Sequence, residues 1–136
     1  MEWRECNLRG FVKNTFMDKN KIDALIKMSD EKLKVNNILK MGDLTASTKF
    51  TIVYDSLREI LEALAIKSGF KIYNHECFSA FLKEVYGSNI FAGDFDRFRV
   101  IRNKINYYAK RIKVEESSIL IKGMIKLRKN LLEKLK

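Results

Sequence analysis

Apolar residues recur at helical spacing along most of the chain, and the spacing predicts five helices. The clearest pattern lies between Thr45 and Ser68, where apolar side chains follow one another at intervals of three or four residues. Such intervals keep one stripe of a helix apolar and turn it towards a core. The predicted stripe comprises Phe50, Val53, Tyr54, Leu57, Ile60, Leu61 and Leu64. Gly69 follows at the position where a left-handed C-terminal cap favours glycine.

Four further helices follow from the same period and from capping residues. They are predicted over residues 18–41, 74–86, 95–112 and 115–135. Asp18 and Asn74 are the predicted N-caps of the first two, which Gly42 and Gly87 end. The predicted inward residues are Ile22, Leu25, Ile26, Leu33 and Ile38 in the first, and Phe78, Phe81, Leu82 and Val85 in the second.

The remaining segments are short. Residues 1–17 form a head that is predicted to be partly helical and to pack on the bundle. "FKIY" after Gly69 is the best candidate for a strand, and "GSNIFAGD" is predicted to be a loop. The chain has no proline and 46% apolar residues, which suits helices joined by short turns around a core. The predicted architecture is a single all-α domain over residues 1–136, an up-and-down bundle of about five helices.

The positive charge of the chain is concentrated in its last third. Residues 1–96 hold fourteen Lys or Arg and fourteen Asp or Glu, whereas residues 97–136 hold thirteen basic and three acidic side chains. The whole net charge of +10 therefore comes from one region. A one-sided basic surface predicts a polyanionic partner such as RNA, DNA, an acidic protein or anionic lipid. The alternative is a pair of helices with a lysine-rich, solvated outer face.

The stretch "RVIRNKINYYAKRI", residues 99–112, has two faces when its residues are placed 100° apart around a helix. Phe98, Ile101, Ile105, Tyr108 and Ile112 are predicted to face the core, while Tyr107 points sideways. The opposite face carries Arg99, Arg102, Asn103, Asn106, Lys110 and Lys113, with no acid between Arg97 and Val114. Arginine binds two phosphate oxygens at once, and asparagine adds a donor and an acceptor. This face is therefore the candidate site for RNA or a nucleotide, with a plain solvated face as the alternative.

Several other kinds of site and location are disfavoured by the sequence. No apolar run approaches the ~18–20 residues of a membrane span, and "MEWRECNLRG" lacks the features of a signal peptide, so a cytoplasmic protein without membrane association is expected. Cys6 and Cys77 have no second ligand at a metal-binding spacing, which predicts reduced thiols and no metal or cofactor. The single histidine, His75, is expected to be a cap or a surface group.

The order of these elements resembles the HEPN family of small helical-bundle domains. The likeness is carried by "VYDSLREILEALAIKSGFKIYNHECFSAFLKE", then "FDRFRVI", then "RNKINYYAKRI". It implies a homodimer that pairs through the helices carrying the family signature, an arginine, a polar residue and a histidine a few positions on. Active members are metal-independent ribonucleases, and many resemble toxins encoded beside a minimal nucleotidyltransferase. Other members are inactive and bind RNA or nucleotides.

The signature is only partly present. Arg102 matches its arginine and Asn103 its polar residue, but residues 107–109 are Tyr-Tyr-Ala where the histidine belongs. A tyrosine hydroxyl is protonated at neutral pH and is a poor general base. The favoured hypothesis is therefore a homodimeric RNA- or nucleotide-binding protein, for which the resemblance adds a minimal nucleotidyltransferase as a candidate partner. The alternatives are a ribonuclease that uses Arg102, Asn106 and Tyr107 from two subunits, and a non-catalytic module for dimerisation and protein docking.

Overall fold

Six helices and two short strands follow one another in the computed structural model, which describes residues 1–136. Helices account for most of the chain, so the predicted all-α bundle is confirmed. In chain order the elements are α1 (Trp3–Leu8), β1 (Val12–Asn14), α2 (Lys19–Ile38), α3 (Ala46–Lys67), β2 (Phe70–Ile72), α4 (His75–Ala80), α5 (Asn89–Tyr108) and α6 (Val114–Glu133). A π-helical turn, Phe81–Val85, continues α4. None of the helices combines the length and apolar character that a membrane span requires.

Helix α3 is the centre of the bundle. Fourteen of its residues are buried, including every member of the predicted apolar stripe. It packs against α2 along one side and α6 along another, and α5 crosses it near Tyr54. The predicted ends are confirmed, since Thr45 and Ser68 flank the helix and Gly69 adopts a left-handed φ of 92°. A long apolar stripe is the strongest helical signal in a sequence, which explains this agreement.

Helix α2 begins as predicted but ends three residues early. The Asp18 side chain accepts a hydrogen bond from the Lys21 amide at 3.1 Å, which confirms the N-cap. At the other end the buried Lys49 amine donates to the carbonyl oxygens of Asn36 and Leu39. These bonds satisfy carbonyl groups that a longer helix would have used. Ile38 therefore lies at the end of α2 and is 81% exposed, so its predicted inward position was wrong.

The head is joined to the bundle through a small sheet and a disulfide. Strand β1 pairs antiparallel with β2, with Val12 opposite Ile72 on the buried side. Cys6 of α1 and Cys77 of α4 are bonded to each other, with their Cα atoms 6.0 Å apart. The prediction of reduced thiols was therefore wrong. The two cysteines are 71 residues apart in the sequence, and only the packing of α1 on α4 brings them together.

Helix α5 starts earlier and ends earlier than predicted. "GSNIFAGD" is not a loop, because α5 begins at Asn89 and the Ser88 hydroxyl caps it by accepting from the Phe91 amide at 3.1 Å. At the other end Ala109 takes a left-handed conformation with φ 51°. The helix therefore stops at Tyr108, which is 78% exposed rather than directed into the core. The connection to α6 is held by Ile112, whose amide donates to the Ser47 hydroxyl at 3.0 Å.

Candidate nucleic-acid interface

Arg102 lies at the middle of the polar side of α5 and has no acidic partner. The residue is half-buried, and its guanidinium stands 5.6 Å from the ring centroid of Tyr54. Asn106 is one turn further along, and with its amide oxygen turned towards Arg102 it accepts from Nε at 3.0 Å and Nη2 at 3.2 Å. Arg102 forms no ion pair, whereas Arg97 and Arg99 both do. Its position is thus fixed while its charge stays available.

Arg99 differs from Arg102 in carrying a partner on its own helix. The Asp96 carboxylate accepts from Arg99 Nε at 3.0 Å and from Nη2 at 2.8 Å. Asp96 also accepts from the Ser79 hydroxyl at 3.2 Å. The predicted absence of an acidic neighbour therefore holds for Arg102 but not for Arg99, because Asp96 lies one helical turn before Arg99. The Arg99 guanidinium is fixed and partly neutralised by Asp96, so it is suited to positioning a ligand rather than to attracting it from a distance.

Beneath Arg102, a buried tyrosine and the single histidine form a polar pair. The Tyr54 hydroxyl is hydrogen-bonded to Nδ1 of His75 at 3.0 Å, and the Tyr54 ring stacks on Phe95 with centroids 5.7 Å apart. Burial raises the pKa of Tyr54, against the opposite effect of Arg102, so its hydroxyl stays protonated. Burial also lowers the pKa of His75 to about 4, and the nearby charges of Arg58, Arg102 and Arg99 lower it further in the same direction.

An open groove of about 450 Å³ lies beside this pair. That volume falls within the ~300–1,000 Å³ of small-ligand sites. One rim comes from α5 and the other from the segment between β2 and the first turn of α4. The groove is lined by Tyr73, Asn74, His75, Glu76, Arg99, Asn103 and Tyr107. It offers two aromatic rings, several hydrogen-bonding groups and a cation within one concave surface.

The other predicted site residues are divided between this groove and its surroundings. Asn103 and Tyr107 line the groove, and Tyr107 is 72% exposed. Asn106 instead borders a shallow depression next to Ser47, Thr48 and Thr51. Lys110 and Lys113 come after the end of α5 and are exposed, so they do not continue the helical face as predicted. The continuous part is Arg99, Arg102, Asn103 and Asn106, hereafter the Arg102 face.

Sequence reasoning missed His75, Tyr54 and Tyr73 as members of this region. His75 is neither the predicted cap, since Asn74 caps α4 by accepting from the Glu76 amide at 2.9 Å, nor a plain surface group. Tyr54 belonged to the predicted apolar stripe, which hides its polar end. The Tyr54 side chain is fully buried, so its hydroxyl needs a hydrogen-bond partner. In the sequence, the single histidine was the available clue to that partner. No cluster of three or more His, Cys, Asp or Glu side chains is arranged to hold a metal ion.

Compared with protein-family models, with curated proteins and with solved structures, the chain matches none.

Proposed function

We propose that this chain binds RNA or a nucleotide through the Arg102 face and the adjoining groove. The observation that carries the proposal is the state of Arg102, a half-buried residue whose guanidinium is hydrogen-bonded to Asn106 and has no acidic partner. A partly buried arginine without an acidic partner is suited to an anionic ligand. Its planar fork bonds two phosphate oxygens at once, while Asn103 can address a base or a sugar.

The geometry supports binding better than cleavage. Within one chain Asn106 borders the depression beside Ser47 whereas Tyr107 lines the groove, so the ribonuclease alternative needs a second subunit to bring these residues together. His75 does face the groove and is the candidate base that the signature lacks. With its pKa lowered to about 4 it is deprotonated at neutral pH, as a base must be, but its basicity is low. A ribonuclease that relied on this imidazole would be slow.

The resemblance to HEPN domains extends the proposal in two directions. We infer a homodimer, because such domains pair through the helix that corresponds to α5, and Tyr108 is exposed at its end. We also infer a minimal nucleotidyltransferase as a protein partner. Light scattering tests the first, and co-purification with a nucleotidyltransferase encoded by the neighbouring gene tests the second. A dimer that binds no RNA and no nucleotide would favour the docking-module alternative.

The proposal is tested by fluorescence anisotropy with labelled RNA and by calorimetry with nucleotides. Arg102→Ala is expected to weaken binding about ten-fold, the loss of one charge-assisted contact of about 1.4 kcal/mol. Arg97→Ala is the matched control, since it removes the same charge from the same helix at an exposed position where Arg97 pairs with Asp94. Arg102→Lys keeps the charge and loses the fork, so it should fall between the two. Equal affinities for all four proteins, each folded by circular dichroism, would contradict the proposal.

A further inference from the structure

Two lysines stand directly opposite each other on the exposed side of the small sheet. Lys13 of β1 and Lys71 of β2 are cross-strand partners, and both are exposed. Like charges in this position repel and destabilise a strand pair. Neither lysine forms an ion pair with an acidic side chain of the chain, although other lysines and arginines do. The sheet therefore carries a concentration of positive charge that its own stability does not require.

The lysine pair is connected to the groove by Tyr73. The amines of Lys13 and Lys71 lie 5.6 Å and 5.4 Å from the centroid of the Tyr73 ring. Tyr73 is 54% exposed and lines the groove, as does Tyr107 of α5. The basic surface thus runs from the Arg102 face across the groove to the sheet. This continuation lies outside the basic last third of the chain, so charge counting along the sequence does not find it.

The groove itself differs in chemistry from the cationic groups on either side of it, the Arg102 face and the Lys13–Lys71 pair. Asn74, His75 and Glu76 stand between the cationic groups, and Oε1 of Glu76 is 3.6 Å from the amino group of Met1. A carboxylate repels phosphate but accepts a hydrogen bond from a 2′-hydroxyl or an exocyclic base amine. The two cationic groups therefore suit phosphates, and the groove between them suits sugars and bases.

We propose that single-stranded RNA crosses this groove from the Arg102 face to the sheet. Bases stack on Tyr107 and Tyr73, and Lys13 with Lys71 binds phosphates on the far rim. This inference rests on the proposed function and names its ligand as an extended strand. A single nucleotide presents one base and its own phosphates, whereas the two rims offer two exposed rings and two separate cationic groups. Sequence-tolerant stacking combined with a basic track is the usual arrangement for single strands.

The test compares a labelled oligouridine of about 15 nucleotides, a length within the range that small domains cover, with uridine monophosphate. The double variant Lys13→Ala with Lys71→Ala is expected to bind the oligonucleotide at least ten-fold more weakly, with a smaller salt dependence, and to bind the mononucleotide unchanged. Tyr73→Ala should also weaken the oligonucleotide roughly ten-fold. The matched control is Lys126→Ala with Lys129→Ala, which removes two exposed lysines from α6.

Two further measurements make the outcomes distinct. The Lys13 and Lys71 variant should unfold at the same or a higher temperature, because it relieves a like-charge pair, so a loss of affinity would not reflect misfolding. If Arg102→Ala weakens RNA binding while the sheet variants and the α6 control bind equally well, the extended path is overturned and the proposed function stands. Oligothymidine bound as tightly as oligouridine would overturn the assignment to RNA.

Discussion

The Tyr54 hydroxyl lies 3.0 Å from Nδ1 of His75, and this bond joins the core of α3 to the rim of the groove. Because the chain has a single histidine, its imidazole titration can be followed by NMR without ambiguity. We expect a midpoint near the pKa of about 4, since burial and three arginines disfavour the imidazolium. The titration midpoint of the wild type is compared with that of the Tyr54→Phe variant, which lacks this hydrogen bond. A wild-type midpoint near 6.5 would contradict the half-buried position of His75.

The same pair makes the stability of the fold depend on pH in one direction. The pKa of His75 in the folded state, about 4, is below its ordinary value of 6.5. Above pH 6.5 the imidazole is neutral in both states and its contribution to stability is complete. Between pH 6.5 and 4 only the unfolded chain takes up the proton, so stability is lost as the pH falls. After allowance for partial solvent exposure, the loss is about 2 kcal/mol.

The variant His75→Gln isolates this contribution, because glutamine does not titrate. Urea unfolding at pH 7 and at pH 4 should show a loss of stability that is smaller in His75→Gln than in the wild type by about 2 kcal/mol. The carboxylates of the chain titrate in both proteins and cancel in the comparison. Parallel losses in the two proteins would rule out the proton-linked role of His75.

The disulfide between Cys6 and Cys77 should contribute a large share of the stability. It closes a loop of 71 residues in the unfolded chain, and removing such a link costs roughly 2–5 kcal/mol. The double variant Cys6→Ser with Cys77→Ser should unfold at correspondingly lower urea concentration. Dithiothreitol should destabilise the wild type and leave the variant unchanged. Two free thiols detected in the unreduced, denatured wild type would show that the bond is absent.

Ala109, at the end of α5, adopts an unfavourable backbone conformation. This is the only non-glycine residue with a positive φ, 51°, a conformation that costs an L-residue roughly 1–2 kcal/mol. Ala109→Gly should therefore raise the free energy of unfolding by about 1 kcal/mol. Ala24→Gly, at an exposed position inside α2, is the control and should lower it by about 1 kcal/mol. Destabilisation of similar size in both variants would contradict the left-handed turn.

Helices with a long apolar stripe or a clear cap were predictable from the sequence. Asp18 and Asn74 cap the starts of helices and Gly69 adopts a left-handed conformation, as their residue types predict. Caps and left-handed turns depend on local chemistry. The start of α5 was missed, since "GSNIFAGD" was predicted to be a loop, whereas Ser88 caps the helix and Ala92 packs into the core. Tyr108 was wrongly predicted to face the core, because an alanine at position 109 does not indicate the left-handed conformation that ends the helix there.

The candidate site was predictable only in its α5 half. Arg99, Arg102 and Asn103 share a helix, so their common face follows from helical spacing alone. The other half requires tertiary contacts, since Tyr54 reaches His75 across 21 residues and Lys13 meets Lys71 across two strands that are far apart in sequence. Asp96 lies outside the basic stretch in the sequence, but one helical turn places its carboxylate beside the Arg99 guanidinium. Pairings of this kind depend on the packing of whole elements and have no local signature.

The salt dependence of RNA binding tests the central claim most directly. For a single strand, the slope of log K against log salt changes by about 0.7 for each phosphate that a cation neutralises. Arg102→Ala should therefore reduce the slope by about 0.7 relative to the wild type, while Arg97→Ala should leave it close to the wild-type value. Equal slopes for wild type and Arg102→Ala, or RNA affinity that is indifferent to salt, would contradict phosphate binding at Arg102.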